Sequence, residues 1–562
     1  MSEVLQVATG AIRTAGSDTE RVRLTARLIL EEFNAYYAES RAIPALAQTA
    51  FEQRDHKQSI ELSRRRISIY SECIDTLGPR LKEAFPELVD RGELWDEIER
   101  RYLPGIGGRY EADLAYAFVH SVRRRVYQGE WKPVAYDFGE RTAWAQDLST
   151  RIYRSFPLRG EVDPATVKGI LEIPGFSRGY RDLEDDAALV AKRVNLEMEG
   201  AGGAGKVAGV DFINAGFFRN RGGYLVGRIV FDSGRIIPFI IALLNGDHGI
   251  YVDAVLCREA DAHNIFSSTL ANFHVTSSRY HELTAFLHSI MPKRPLGLHY
   301  STIGFNHVGK VAVMNELIEE LVSTGEVFQT AVGFRGTVAI GFSSPSSSYN
   351  LKVIRNKPTS QYKWGKFEGI PSVLQKYRRV HEINRTGSML DNIIYHNLKL
   401  DRAWFDPGLL DELATEASET VSIQQGTVVL KYLIVQRRMR PLPVFLETAT
   451  PAEAETAIIN LGHCIKNNAA ANIFNKDLDA RNYGVSRFLK VFLYDYDALE
   501  PFTDVRIRTN LGRIDGEEDV PDWFFEDGVV FLPEEIEAGL MIPDRSLRRL
   551  FREVHGDLLT TG

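Results

Sequence analysis

Apolar residues recur at helical spacing through the N-terminal part of this chain. Leu28, Leu30, Phe33 and Tyr37 form one row, and Ile60, Ile67 and Tyr70 another, which predicts helices over residues 21–81. Helices are expected to continue to Leu196. The texture changes at Gly223. Tyr224-Leu225-Val226-Gly227-Arg228-Ile229-Val230, then residues 236–243, then residues 249–255 are runs of strand length and strand composition. Ser233-Gly234 reads as the hairpin turn between the first two. Residues 281–291 and 308–324 return to the helical pattern. The expectation is a largely helical half, residues 1–325, with a small antiparallel unit at about 223–258.

A different order of elements begins at residue 326. Ala331-Val332-Gly333-Phe334-Arg335-Gly336-Thr337 precedes a strand-like run, Val338-Ala339-Ile340-Gly341-Phe342. A polar turn over residues 343–348 follows, and then Tyr349-Asn350-Leu351-Lys352-Val353-Ile354, a second strand carrying one lysine. Glycines let backbone N–H groups approach phosphates, and a lysine supplies a point charge to their oxygens. Taken singly, Gly333-x-x-Gly336 is an ordinary turn and Lys352 an edge-strand lysine facing water. Their order gains meaning from what lies downstream.

That downstream stretch is Asn475-Lys476-Asp477-Leu478-Asp479-Ala480-Arg481-Asn482, followed by Phe492-Leu493-Tyr494-Asp495-Tyr496-Asp497. Protein kinases carry H-R-D-L-x-x-x-N and then a strand ending in D-F-G. The first Asp handles the hydroxyl proton, and the Asn and the later Asp hold magnesium on ATP. Asp477-Leu478 and Asn482 keep that spacing, and Asp495 follows Asn482 after thirteen positions. Tyr483-Gly484-Val485 and Val491-Phe492-Leu493-Tyr494 read as the intervening short strands. Asn-Lys replaces His-Arg, and Tyr496-Asp497 replaces Phe-Gly. Glycine loop, strand lysine, catalytic Asp, Asn and metal Asp thus fall in kinase order. The fold class expected is α+β, with a bilobal protein-kinase-like domain over residues 326–562, divided into an N-lobe (326–435) and a C-lobe (436–562). Asp497 is expected at the rim of the metal site formed by Asn482 and Asp495.

The chain also resembles the bacterial isocitrate dehydrogenase kinase/phosphatase family over nearly its whole length. Phe33 to Tyr37, Gly227 to Pro238, the loop from Ala331 to Thr337 and Leu351-Lys352-Val353-Ile354 carry the resemblance. So do Gln436-Arg437-Arg438-Met439-Arg440-Pro441-Leu442, Ala469-Ala470-Ala471-Asn472-Ile473-Phe474, Asn482-Tyr483-Gly484-Val485 and Tyr494-Asp495-Tyr496-Asp497. The resemblance implies one active site that both phosphorylates a serine of isocitrate dehydrogenase and removes the phosphate, controlling flux between the tricarboxylic acid cycle and the glyoxylate bypass. It implies ATP/ADP and Mg2+ (or Mn2+) as cofactors, and AMP as an allosteric effector favouring the phosphatase direction. It places a phosphatase-linked aspartate at Asp391 and a supporting asparagine at Asn397. From spacing alone, Asp391 is no different from an acid on a solvated helix face. It is expected in the region of the kinase C-helix, with Glu382 on the same helix as the partner of Lys352. Family members run on past Thr560-Thr561-Gly562, and carry Pro-Gly where Asn475-Lys476 stand here.

Composition narrows the surroundings of this site. A net charge of −8 argues against a protein that grips nucleic acid through phosphate contacts. Cys73, Cys257 and Cys464 form no CxxC and point to a reducing, cytoplasmic compartment. Met1 to Gly16 lacks a basic region followed by an apolar core, so no signal peptide is expected. No run of about 18 apolar residues exists to span a membrane. A homodimer is left open. The triplets Arg64-Arg65-Arg66 and Arg123-Arg124-Arg125 read as solvated helix faces.

Three other motifs carry less. Gly200-Ala201-Gly202-Gly203-Ala204-Gly205-Lys206 resembles a phosphate loop, but Val207 stands where a Ser or Thr should bind magnesium, and a helix precedes it. Asp495-Tyr496-Asp497-Ala498 resembles a phosphatase nucleophile motif but has Leu499 at its last position. Gly246-Asp247-His248-Gly249 lacks the companion motifs of a metallophosphatase and reads as a turn. No second phosphatase site emerges, so a phosphatase activity would share the kinase pocket. The alternatives are a kinase-fold enzyme acting on a small molecule, or a catalytically inactive kinase-like scaffold.

Overall fold

The structure, a computed structural model, describes residues 2–128, 152–200, 206–266, 273–331, 335–360, 367–380, 388–510 and 528–561. The described residues divide into two compact units, one ending at Glu316 and the other beginning at Leu317.

The first unit opens with long helices. Asp18–Gln53 and His56–Ala84 are separated by Arg54, which takes a left-handed conformation (φ 59°), and by Asp55, whose carboxylate caps the second helix at the Gln58 N–H. Phe33, Tyr36, Tyr37, Tyr70 and Phe118 stack or meet edge-on in the core between these helices and Ala112–Val126. One basic triplet departs from the solvated face expected of it. Arg66 is buried and donates to the carbonyls of Phe273 and Ile303, while Arg65 pairs with Glu39 and Glu72.

The antiparallel sheet of this unit is larger than the three strands expected. Among the described residues it has seven, with Tyr153–Gly160, Val207–Ile213, Phe217–Arg219 and His274–Val275 joining Gly222–Phe231, Ile236–Gly246 and Gly249–Leu256. The first of these interrupts the predicted helical stretch. Its sequence, YRSFPLRG, has three charged or polar residues in eight, and each of its side chains is partly buried or exposed. Pairing with Val207–Ile213 defines it as a strand. Of the glycine-rich motif before that partner strand, residues 201–205 lie outside the described residues. Gly246–Gly249 is the tight turn joining two strands, as its sequence suggests.

The second unit has the two lobes of a protein kinase. Its antiparallel sheet runs in the order Asn392–Asp401, Thr427–Arg437, Tyr349–Ile354, Ala339–Ser343, Gln329–Thr330, with Val421–Ile423 also against Thr427–Arg437. The lysine strand is central, flanked by Ile434 on one side of Lys352 and Gly341 on the other. The helix Ile370–Arg379 packs by Ile370, Val373, Leu374 and Tyr377, a spacing that puts all four on one face. The C-lobe is built on Pro451–Ala470, which starts with a capping box between Thr450 and Glu453. Its close neighbour is Arg545–His555, where the buried His555 ring sits so near Gly462 that a Cβ there would meet it at 2.1 Å. Both lobes contribute to one apolar core that includes Ile354, Leu374, Tyr377, Ile458, Tyr483 and Leu493.

Candidate active site

A cavity of about 500 Å³ opens in the second unit, lined by Lys352, Asp477, Asn482, Asp495 and Asp497 together with Ala331, Gly336 and Thr337. These residues come from separate stretches of chain, and the fold brings them together.

Lys352 is buried to 5% exposure although it carries an ammonium group. Burial of a charge demands partners, and three are present. Its Nζ donates to the Tyr377 hydroxyl at 3.2 Å and to the Tyr494 carbonyl at 3.0 Å, and lies 3.6 Å from Asp495 Oδ1. The Tyr377 hydroxyl in turn donates to Asp495 Oδ1 at 3.0 Å. Glu382, the partner expected for Lys352, lies outside the described residues.

The catalytic loop is held by its own amides. Asn475 Nδ2 donates to the Asp477 carbonyl at 2.7 Å, and Asn475 Oδ1 accepts from the Asp477 N–H. Asn475 therefore ties down the loop at a place where the sequence departs from the kinase His-Arg. Asn482 Nδ2 donates to the same carbonyl at 2.9 Å, which leaves its Oδ1 as the free acceptor. The Tyr494 N–H donates to the Asn482 carbonyl at 3.1 Å, so the strand bearing Asp495 is registered against the loop.

Burial raises the Asp477 carboxyl above its usual range, against the opposing hydrogen bond from Asn482. Burial, followed by the charge of Asp495, pushes Asp497 up to about 7. Burial and then the Asp495 charge hold the Tyr377 phenol well above its ordinary value.

The donor set suits a hard cation. Asp495 and Asp497 offer carboxylate oxygens and Asn482 an amide oxygen. Among the described residues no group of three His, Cys, Asp or Glu side chains forms a metal cage. That combination matches magnesium, which is held by one or two carboxylates with water and substrate phosphates completing its shell.

Of the glycine loop, Val332, Gly333 and Phe334 lie outside the described residues. The remainder is anchored from behind. Gly336 accepts a hydrogen bond from Arg355 Nε at 3.2 Å, and a Cβ at Gly336 would meet the Ala339 carbonyl oxygen at 2.4 Å. Arg355, 1% exposed, pairs with Glu412 at 2.8 Å and with Glu416. Arg335 reaches the same two carboxylates at 3.0 and 2.6 Å. Thr337 accepts at its carbonyl from the Thr359 N–H. Arg355, Glu412 and Glu416 fall in no motif of the sequence, which therefore does not mark them as supports of the glycine loop.

Asp391 is not on a helix. Residues 388–390 are extended, with Met389 bridged to Leu493 and the Leu390 N–H donating to the Leu493 carbonyl at 2.8 Å. Asp391 follows directly and enters the strand Asn392–Asp401. Leu390 lines the cavity. The Asp391 charge is felt at the hydroxyl of buried Tyr496, which donates to the Leu390 carbonyl. Asn397 stands six positions further along that strand, roughly 20 Å of extended chain. It adopts φ 52° and drops out of register between His396 and Leu398. Neither Asn397 nor Asp391 is among the residues lining the cavity; Asp391 adjoins the lining residue Leu390, and Asn397 does not.

Comparison with known proteins bears on the whole chain. The family model described as isocitrate dehydrogenase kinase/phosphatase (AceK), regulatory domain, matches residues 26–325, and the AceK kinase domain matches residues 326–562. An isocitrate dehydrogenase kinase/phosphatase from Rhodopseudomonas palustris (strain HaA2) is 50% identical over 554 residues, covering 98% of this chain and 90% of the relative. One from Anaeromyxobacter sp. (strain Fw109-5) is 31% identical over 545 residues, covering 95% and 92%. The chain belongs to the isocitrate dehydrogenase kinase/phosphatase family.

Proposed function

We propose that this chain is a bifunctional enzyme that phosphorylates a serine of isocitrate dehydrogenase with ATP and removes the phosphate again in the same pocket. The convergence of Lys352, Asp477, Asn482 and Asp495 on one cavity carries this reading, because those are the groups that phosphoryl transfer requires. Bound magnesium would neutralise phosphate charge. Asn482, Asp495 and Asp497 would hold it, and Lys352 would add its own charge to the phosphate oxygens. Asp477 accepts the serine proton as the Oγ–P bond forms and the bond to the ADP leaving oxygen breaks. Its raised pKa suits a group that takes up a proton and gives it back.

In the reverse sense, water forms the new O–P bond and gives up a proton to the Asp391 carboxylate, the serine Oγ–P bond breaks to release inorganic phosphate, and protonated Asp477 returns its proton to the serine. Asp391 is assigned to hold the water. Its position next to a cavity-lining residue supports that assignment. Asn397 would act through the strand it shares with Asp391 rather than at the reacting atoms. AMP is assigned as the effector that favours dephosphorylation. Among the described residues no helix is long and apolar enough to cross a membrane.

The test uses labelled ATP, magnesium and purified isocitrate dehydrogenase, followed by excess ADP and AMP. Label should go onto the dehydrogenase and then come off. No incorporation in the first step, or no release in the second, rejects the reading.

A further inference from the structure

We infer that Tyr377 is the residue through which the helix Ile370–Arg379 positions both Lys352 and Asp495, in the place where a carboxylate would be expected. The inference rests on the phosphoryl-transfer reading of the cavity.

Tyr377 ends the buried row of that helix and is 1% exposed. On the sequence it is one more apolar position, and its ring does pack, 5.0 Å between centroids from Tyr496. Its hydroxyl does something that packing does not require. A phenol has one proton to give and lone pairs to receive, and both are used on charged groups of the site. It accepts from Lys352 Nζ at 3.2 Å and donates to Asp495 Oδ1 at 3.0 Å. A carboxylate at this position would attract Lys352 but repel Asp495. The neutral hydroxyl joins the two, and it leaves the lysine charge available for phosphate oxygens.

The same helix is tied to the site twice more. Lys376 Nζ donates to the Asp497 carbonyl at 2.7 Å. The Tyr377 carbonyl accepts from Asn392 Nδ2 at 3.1 Å, next to Asp391. A displacement of the helix therefore moves the lysine, both aspartates and the segment bearing Asp391 together.

Tyr377→Phe keeps the ring and removes only the hydroxyl. Loss of a hydrogen bond to a charged group corresponds to roughly ten- to hundredfold. In the full-length chain, Mn2+·ATP affinity measured by titration calorimetry should fall about tenfold or more. KM for the metal–nucleotide should rise and kcat fall in both directions, with the thermal unfolding midpoint near that of the wild type. Unchanged affinity and rates, or a loss of stability alone, would overturn the inference. The calorimetry needs no protein substrate. If the wild type does not label isocitrate dehydrogenase while Tyr377→Phe still loses nucleotide affinity, the substrate assignment fails and the role of Tyr377 stands.

Discussion

The ammonium of Lys352 lies 3.6 Å from Oδ1 of Asp495, and the two residues come from opposite lobes of the kinase-like unit. The lysine sits on a central strand of the N-lobe sheet, and the aspartate follows a short C-lobe strand. On the proposed reading their closeness marks where a nucleotide would be held, with Lys352 adding positive charge to phosphates and Asp495 serving as a metal ligand.

Lys352→Met should therefore cripple phosphorylation and dephosphorylation together. The change removes the point charge and also leaves Tyr377 and the Tyr494 carbonyl without their donor. Single-turnover rates in both directions are the measurement. Loss of one direction with the other preserved would show that the two reactions use different groups.

Asp477→Ala should reduce the kinase direction by about 10²–10⁴-fold, the usual contribution of a positioned general base. The loop should survive, because Asn475 and Asn482 still hold it through the Asp477 backbone carbonyl, although the hydrogen bond from Asn482 to the Asp477 carboxyl is lost. Steady-state phosphorylation of isocitrate dehydrogenase and circular dichroism, run on the same preparation, separate a catalytic loss from an unfolded loop. Near-normal phosphorylation would refute the role.

The kinase half was legible because its groups keep a fixed order along the chain and each has a distinct chemistry. Lys352, taken singly an edge-strand lysine, gains meaning from its order with Asp477, Asn482 and Asp495, which keep the kinase spacing. What escaped depends on partners far off in sequence. Residues 388–391 look like a continuation of the helix Ile370–Arg379 until Met389 and Leu390 are seen paired with Leu493. The strand Tyr153–Gly160 has no apolar alternation strong enough to announce it, and only its pairing with Val207–Ile213 reveals it. Tyr377 obeys the rule for a core residue, and nothing in a one-dimensional pattern tells a hydroxyl that is merely buried from one aimed at two charges.

The first unit should lose stability in mild acid through His274. Its ring is buried, with Arg66 Nη1 3.3 Å from Nδ1 and Ser63 Oγ 3.1 Å from Nε2. Arg66 can only donate, so Nδ1 accepts and the histidine is neutral with its proton on Nε2. Burial and then the Arg66 charge lower its pKa from 6.5 to about 3. The unfolded chain protonates this histidine below about 6.5 while the folded chain does not. The unfolded state then binds more protons, so stability falls as pH drops through that window toward 3. The linkage amounts to on the order of 2 kcal/mol between pH 7 and pH 5. Denaturant melts of the wild type and His274→Gln at both pH values are the check. The variant should show a smaller drop, and an equal drop in the two proteins would exclude His274 as the source.

Asp391→Ala should separate the two directions of reaction. In the proposed mechanism phosphorylation uses Asp477 on the serine hydroxyl and has no attacking water to place. Dephosphorylation needs a group that holds water opposite the scissile bond, and Asp391 is the acid assigned to it, one residue beyond cavity-lining Leu390. The local structure should tolerate the change. The extended segment before it is fixed by backbone pairing with Leu493 and by the Tyr496 hydroxyl on the Leu390 carbonyl, neither of which uses the Asp391 side chain. One of its contacts, to the Asn392 N–H at 3.1 Å, is a local one that water can replace. Release of phosphate from phosphorylated isocitrate dehydrogenase should fall by about 10²-fold or more, as expected for loss of acid–base or water-orienting help, while labelling of the dehydrogenase stays within a fewfold of the wild type. Equal losses in both directions, or none in either, would move the water-holding role to another residue of the pocket.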